Sequence, residues 1–378
     1  MTYIVFESAP AHMYNVNMNI LAGGERVRIR PGAVAIAGAG AYALALSTSE
    51  RLFAAHRALL VRAYGALGQF CSATEAPVAE ALALSLAIGS VCVVLGALIL
   101  CVHRRSYAPL RRSMAGLLAL MIWLGGALAL MWPAWLDDSP RAQAAYSRAY
   151  SLDELEQLIL TLDGILREAE DEVDLSGPVM RLSASLDDIA ARAAQAYRAA
   201  GYQANAPKLS RFPCWMTRLR IAGIFVPLTG EAVVSPDDFD SALPFTMLHE
   251  LAHAQGILRE DEANLLALEV ALSSGDAELI WSGALTALRY ALNTLRALDG
   301  TRYQALRDEI SPPALRELDA QCAFDYAPRG YDVPLSAAGS GKALPVLARS
   351  EDAFVRVAGY GAYDGLTYLL MDAGWFAR

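Results

Sequence analysis

The sequence predicts a mostly α-helical protein in which transmembrane helices precede a helical domain with a small β-sheet. Three observations lead there: two long uncharged apolar stretches, helical periodicity through most of the chain beyond them, and one short β-branched segment broken by Gly and Pro. The expected organisation is an unassigned segment over residues 1–30, a membrane region over 31–135 with two or three crossings, and an extracytoplasmic domain over 136–378.

The first stretch, residues 82–102, carries no charge. At about 1.5 Å per residue it is long enough to cross about 30 Å of hydrocarbon. The second, residues 114–132, is also uncharged and ends in Trp132, with Trp135 close behind, side chains suited to the headgroup region. The alternative is a pair of buried core helices, but those rarely stay apolar on every face for so long. Residues 31–46 are shorter and dominated by Ala and Gly, so they form either a third crossing or a helix packed on the others. No basic region leads into an apolar one over the first 25 residues, so no cleavable signal peptide is expected. Arg104, Arg105, Arg111 and Arg112 cluster between the two strong stretches, and basic loops stay on the cytoplasmic side. Residues from about 136 onward are then expected outside the cytoplasm.

Composition agrees with a membrane protein. The chain is 55% hydrophobic and 19% charged, against about 45–50% and 25% for soluble domains. Its 31 basic and 40 acidic residues give a net charge of −9, without the Lys/Arg excess that phosphate backbones require, so no nucleic-acid partner is expected. Five cysteines are too sparse for a disulfide scaffold. Cys214 and Cys322, both in the outer segment, would pair only if the fold brought their Cα atoms together.

Beyond the membrane, Ser151 and Glu154 form a capping box ahead of apolar residues at helical spacing. A second helix is expected over 185–200, capped by Ser185 and stopped by Gly201. Residues 221–236 suit one or two strands joined at Thr229 and Gly230. Helical periodicity returns after Pro244 and runs through Leu298, with further helices expected over 303–310 and 312–322. No repeat of 20–50 residues is visible, so a solenoid is not indicated.

The chemistry lies in His249, Glu250, Leu251, Ala252 and His253, an HExxH sequence in a helix expected to start near Pro244 and stop near Gly256. Histidines four apart share one helix face, so both imidazoles can reach a single ion, with Glu250 beside them as general base. A zinc ion held by neutral imidazoles and a carboxylate keeps a position open for water and lowers its pKa to about 7. Two surface histidines with an incidental Glu are the alternative. The five histidines are His12, His56, His103, His249 and His253, so the outer segment has only two, both at ligand spacing.

The third ligand is expected from the acidic string Glu260, Asp261 and Glu262, which opens the next helix after a reversal at Gly256. Asn264 lies one turn beyond Glu260, so a Glu ligand and an amide acceptor for a ligand imidazole share a face. Glu260 is the expected ligand. Glu262 is the alternative, about 200° around the helix, and whichever does not ligate serves as a charge at a helix N-terminus.

At these residues the chain resembles the gluzincin class of zinc metallopeptidases, with HExxH followed by a helix carrying ExxxD, matched here by Glu260 and Asn264. Asn stands where the pattern has Asp, and the gap of six residues is short for the class. From about 212 to 295 the chain more closely resembles an uncharacterised bacterial family of membrane-anchored HExxH proteins. The motifs that carry this are GIFVPLTGEAVVSP, LPFTMLHELAHAQG, EDEANLLA and SGALTALRYALNTL. That family brings no known substrate. The gluzincin resemblance implies a helical metallopeptidase domain and an extended strand beside the HExxH helix where a peptide adds by main-chain hydrogen bonds, here residues 224–234. An ordinary buried strand is the alternative there. Tyr290 or Arg289 could donate to a transition-state oxyanion, set against core packing and surface pairing.

The function expected is a membrane-bound zinc peptidase in a multi-pass cell-membrane protein, acting on a peptide or protein outside the cytoplasm. A membrane-tethered zinc sensor without turnover is the second expectation. A transporter is disfavoured, because the two strong stretches contain no ionisable residue.

Overall fold

The computed structural model describes residues 18–22, 25–29, 31–133, 145, 150–326 and 365–375. Trp135 lies outside them. The chain divides into two compact units, residues 1–59 and 60–378.

In the first unit, strands β1 (Met18–Ala22) and β2 (Glu25–Ile29) pair as an antiparallel hairpin, falling in the segment to which the sequence assigned no role. Helix α1 (Pro31–Thr48) covers the Ala/Gly-rich stretch, and α2 (Glu50–Cys71) begins two residues later, its residues from Leu60 onward belonging to the second unit. Tyr42 and His56 meet here, the hydroxyl 3.0 Å from Nδ1.

In the second unit, α3 (Val78–Arg104) and α4 (Ala108–Met131) form a helical hairpin turned by Arg105 in the left-handed conformation, φ 47°. Both are long and apolar enough to cross a membrane. Ala97 is the single buried residue of α3, and α4 has none. Leu, Ile and Val side chains therefore stand exposed along both helices, the opposite of a core helix.

The rest is helical around one core. Helix α5 (Leu152–Ala169) starts at the capping box read from the sequence: Ser151 Oγ accepts from the Glu154 N–H at 3.1 Å, and Glu154 Oε2 accepts from the Ser151 N–H at 2.8 Å. Helix α6 (Leu186–Ala199) is capped by Ser185, and Gly201 follows with φ 89°. Strand β3 (Lys208–Leu209) and short helix α7 (Pro213–Arg218) lead into β4 (Gly223–Val226) and β5 (Glu231–Val234), whose antiparallel hairpin turns at Thr229 and Gly230. The strand order is β3–β5–β4, with β3 parallel to β5. A two-residue strand is too short for a periodicity, so the sequence shows two of these three strands.

Helices α8 (Leu243–Ala254), α9 (Glu260–Ser273) and α10 (Ala277–Leu298) follow in close succession. Next comes α11 (Gly300–Arg307), three residues earlier than expected because Asp299 caps it, accepting from the Thr301 and Arg302 N–H groups. Helix α12 (Pro312–Tyr326) outruns its expected end at Cys322, and α13 (Gly365–Asp372) is the last described element. Apolar faces of α5, α6, α8, α9, α10 and α13 meet in one core that includes the fully buried Leu158, Ile159, Tyr197, Leu248, Ala267 and Trp281. Cys214 and Cys322 are not disulfide-bonded.

Candidate metal centre

Helix α8 carries the HExxH residues and is fixed at several points. Pro244 occupies its first turn, where a missing N–H costs nothing. The Phe245 N–H, free of any helical partner so near the start, donates to Ser282 Oγ on α10 at 2.9 Å. Midway, the buried Tyr197 hydroxyl donates to the Leu248 carbonyl at 2.8 Å. Gly256 then turns the chain with φ 75°, and helix α9 begins at Glu260, with six residues between it and His253.

This reversal brings Glu260 back over the two histidines. Its carboxylate lies 3.0 Å from His249 Nε2 and 3.6 Å from His253 Nε2. The imidazoles stand edge to face, centroids 4.6 Å apart. One ligand atom from each of His249, His253 and Glu260 falls within 4.8 Å of the others, so the three side chains can hold one metal ion. Glu262 is not in this group. Asp261 instead pairs with Arg259 at 2.8 Å.

The outer ring nitrogens decide what the inner ones can do. His253 Nδ1 lies 2.7 Å from the Ile257 carbonyl, which only accepts, so the imidazole donates there. His249 Nδ1 lies 2.7 Å from Asn264 Oδ1, the amide acceptor one turn beyond Glu260 that the sequence offered. With both Nδ1–H groups engaged, each neutral ring presents its lone pair at Nε2, toward the shared centre. This donor set fits a zinc-type ion and provides three protein ligands.

Glu250 is buried beside the histidines. Burial raises its carboxyl pKa above the ordinary value, against the opposing pull of His253 and His249. Its Oε2 has no hydrogen-bond partner among the described residues. An orphaned carboxylate oxygen next to a potential metal site is a polar group awaiting a partner such as water. Around His253, burial favours the neutral ring, but the facing Glu260 carboxylate outweighs it and pushes the pKa up to about 9. The reciprocal effect holds Glu260 well below the usual carboxylate range despite its burial.

Strand β4 borders Glu250. The Ser235 N–H donates to the Ala222 carbonyl at 2.8 Å, and the antiparallel alternation from that bond turns the main-chain groups of Gly223 and Phe225 away from β5. The Phe225 backbone hydrogen-bonds the Glu250 carboxylate. Gly223 lies so close that a Cβ there would sit 2.7 Å from Glu250 Cγ. Residues 224–234 therefore split in two: β5 is buried in the centre of the sheet, and only β4 offers an edge.

Trp132, immediately after α4, is a neighbour that the sequence reading placed only at a headgroup. Its ring stands 5.3 Å from His253 and 5.8 Å from Phe225, centroid to centroid. The Tyr64 hydroxyl donates to the Met131 carbonyl, tying the end of α4 to the same cluster. Local spacing carries no sign of this, because each of these contacts joins residues more than sixty positions apart. Of the suggested oxyanion donors, Tyr290 is buried in the helical core, and Arg289 lies over the Tyr290 ring and donates to Gln321.

No curated protein and no solved structure matches this chain. A family model described as a protein of unknown function, DUF3810, matches residues 62–337, nearly three quarters of the chain, from α2 through the candidate site to beyond α12. The chain belongs to that family.

Proposed function

We propose that this protein is a membrane-bound, gluzincin-like zinc peptidase that hydrolyses peptide bonds outside the cytoplasm. The observation that carries this reading is the convergence of His249 Nε2 and His253 Nε2 on the Glu260 carboxylate, with both Nδ1 atoms engaged and Glu250 buried beside them. Three protein ligands favour catalysis over structure, since structural zinc normally takes four. Zinc at this position would supply a Lewis acid that ionises water near neutral pH.

The chain's own residues account for the remaining work. Glu250, with Oε2 unpartnered and its pKa raised by burial, is suited to take a proton from water and pass it to the leaving amine. The Phe225 contact holds the other side of that carboxylate in place. The edge of β4 aligns an extended peptide next to Glu250 by main-chain hydrogen bonds. Trp132 covers His253 and limits water around the ligands. Helices α3 and α4 cross the bilayer, the Arg-rich turn between them lies in the cytoplasm, and the domain from about 136 onward lies outside.

Proteolysis of an unstructured protein by the purified full chain tests the activity, with wild type and Glu250→Gln compared at equal zinc content. The expected loss in the variant is about 10²–10⁴-fold. Equal zinc in both forms without any difference in cleavage would favour a membrane-tethered zinc sensor, for which the packing of Trp132 on His253 offers a link between metal and membrane helix.

A further inference from the structure

Between β3 and β4 the chain makes a detour whose anchor and surface point the same way. Ser210 Oγ donates to Glu80 Oε1, and the Arg211 N–H donates to Glu80 Oε2 at 3.0 Å. Glu80 belongs to the first turn of α3 and is the last charge before the uncharged run at 82–102. If α3 crosses the bilayer, Glu80 stands at headgroup depth, and Arg211 is held there with it.

The residues that follow expose apolar surface. Phe212 is 42% exposed, Trp215 60%, Leu219 66% and Ile224 44%. Phe212, Trp215 and Leu219 fall at positions i, i+3 and i+7 around α7, so they share one face. Arg211 and Arg218 flank that face, and the Arg218 guanidinium lies 5.8 Å from the centre of the Trp215 ring. Scattered exposed apolar residues are ordinary, but a set gathered on one face and centred on Trp is characteristic of a membrane interface. Ile224 carries the exposed apolar residues onto β4, between the two residues that approach Glu250.

We propose that Phe212, Trp215, Leu219 and Ile224 form a lipid-binding face that enters the headgroup layer beside the start of α3 and seats the candidate metal centre near the bilayer surface. The bilayer is the occupant because the face begins one residue from an anchor on the first turn of a membrane-crossing helix. The proposal rests on the reading that α3 and α4 span the membrane. It narrows the substrate class to peptides that lie along the bilayer or emerge from it, since the open edge of β4 shares that level.

Depth-dependent quenching of Trp emission tests it with the full chain in phosphatidylcholine nanodiscs, brominated at shallow or at deep acyl carbons. The chain has six Trp, so Trp215 is isolated as the difference between wild type and Trp215→Phe, with Trp215→Tyr as a second subtraction. Trp123 in α4, isolated through Trp123→Phe, reports the span itself. Shallow bromines are expected to quench the Trp215 component by about half, and deep bromines the Trp123 component. A quenched Trp123 with an unquenched Trp215 would overturn the lipid face alone, leaving a protein partner or second copy as its cover. If neither were quenched, the spanning reading would fail as well.

Discussion

Each ring in the site is aimed by the group that holds its outer nitrogen. For His249 that group is Asn264 Oδ1 at 2.7 Å. Asn264→Leu removes the acceptor and leaves the ring free to choose the other tautomer, so zinc affinity should weaken by about 10–100-fold. Asn264→Asp keeps an acceptor and should keep affinity near wild type, measured by competition with a chromogenic chelator. Gly223 governs Glu250 in a different way. In Gly223→Ala, a Cβ at 2.7 Å from Glu250 Cγ forces the carboxylate to move, so turnover should fall about 10²-fold while zinc content holds, because a small misplacement of a catalytic group costs that much. The two positions also mark how far the sequence could be read. HExxH and the offset from Glu260 to Asn264 are helical spacings, and helix geometry translates them directly into a shared face. Gly223, Phe225 and Trp132 reach the site through tertiary packing between distant segments, and no local period encodes that.

At the scale of elements, the sheet grips the start of the long apolar helix α3. Glu231 on β5 accepts from the Val78 and Ala79 N–H groups at the start of α3, at 3.0 and 2.8 Å. Lys208 on β3 donates to Glu231 at 2.8 Å and to the carbonyls of Cys71 and Ala76 in the link from α2. Burial pushes the Glu231 pKa up, but these hydrogen bonds outweigh it and hold the carboxyl below its ordinary value. A lowered carboxyl pKa stabilises the fold above the unfolded value of 4.5, and that contribution is lost as pH falls through the folded value. Acid should therefore lower the wild-type melting temperature below about pH 4.5 more steeply than that of Glu231→Gln. At neutral pH, Glu231→Gln should cost about 1–3 kcal/mol, because it takes the carboxylate from the half-buried Lys208 ammonium and weakens the hold on the Val78 and Ala79 N–H groups. Denaturant melts in detergent at the two pH values check both statements. The capping box at Ser151, the β4–β5 hairpin, the limits of α8 and the start of α9 were legible in the sequence, each marked by a Ser, Gly or Pro at or near an end, whereas the break between α9 and α10 was hidden in one run of helical periodicity. Strand β3 and the early start of α11 were not: two residues show no alternation, and the Asp299 cap lies before the apolar period begins.

At the largest scale, the apolar hairpin and the helical domain of the second unit meet at the candidate site. Trp132 touches His253, and Glu80 at the head of α3 holds Ser210 and Arg211, so both ends of the hairpin remote from its turn are fastened to the domain that carries the candidate site. The proposed orientation, with the arginines at 104, 105, 111 and 112 on the cytoplasmic side, has a direct test. Cys322 is exposed on α12, so a membrane-impermeant maleimide added to intact cells should label the wild type and label Cys322→Ser much less. Labelling of Cys322 only after permeabilisation would reverse the topology. The central claim is more direct: one ion is gripped by two imidazoles of α8 and the first carboxylate of α9. Elemental analysis of the purified full chain should find about one zinc per chain in wild type and in Glu250→Gln, and a small fraction of that in His253→Ala and Glu260→Ala. A wild type without metal, or variants at 253 and 260 that retain it in full, would contradict the account.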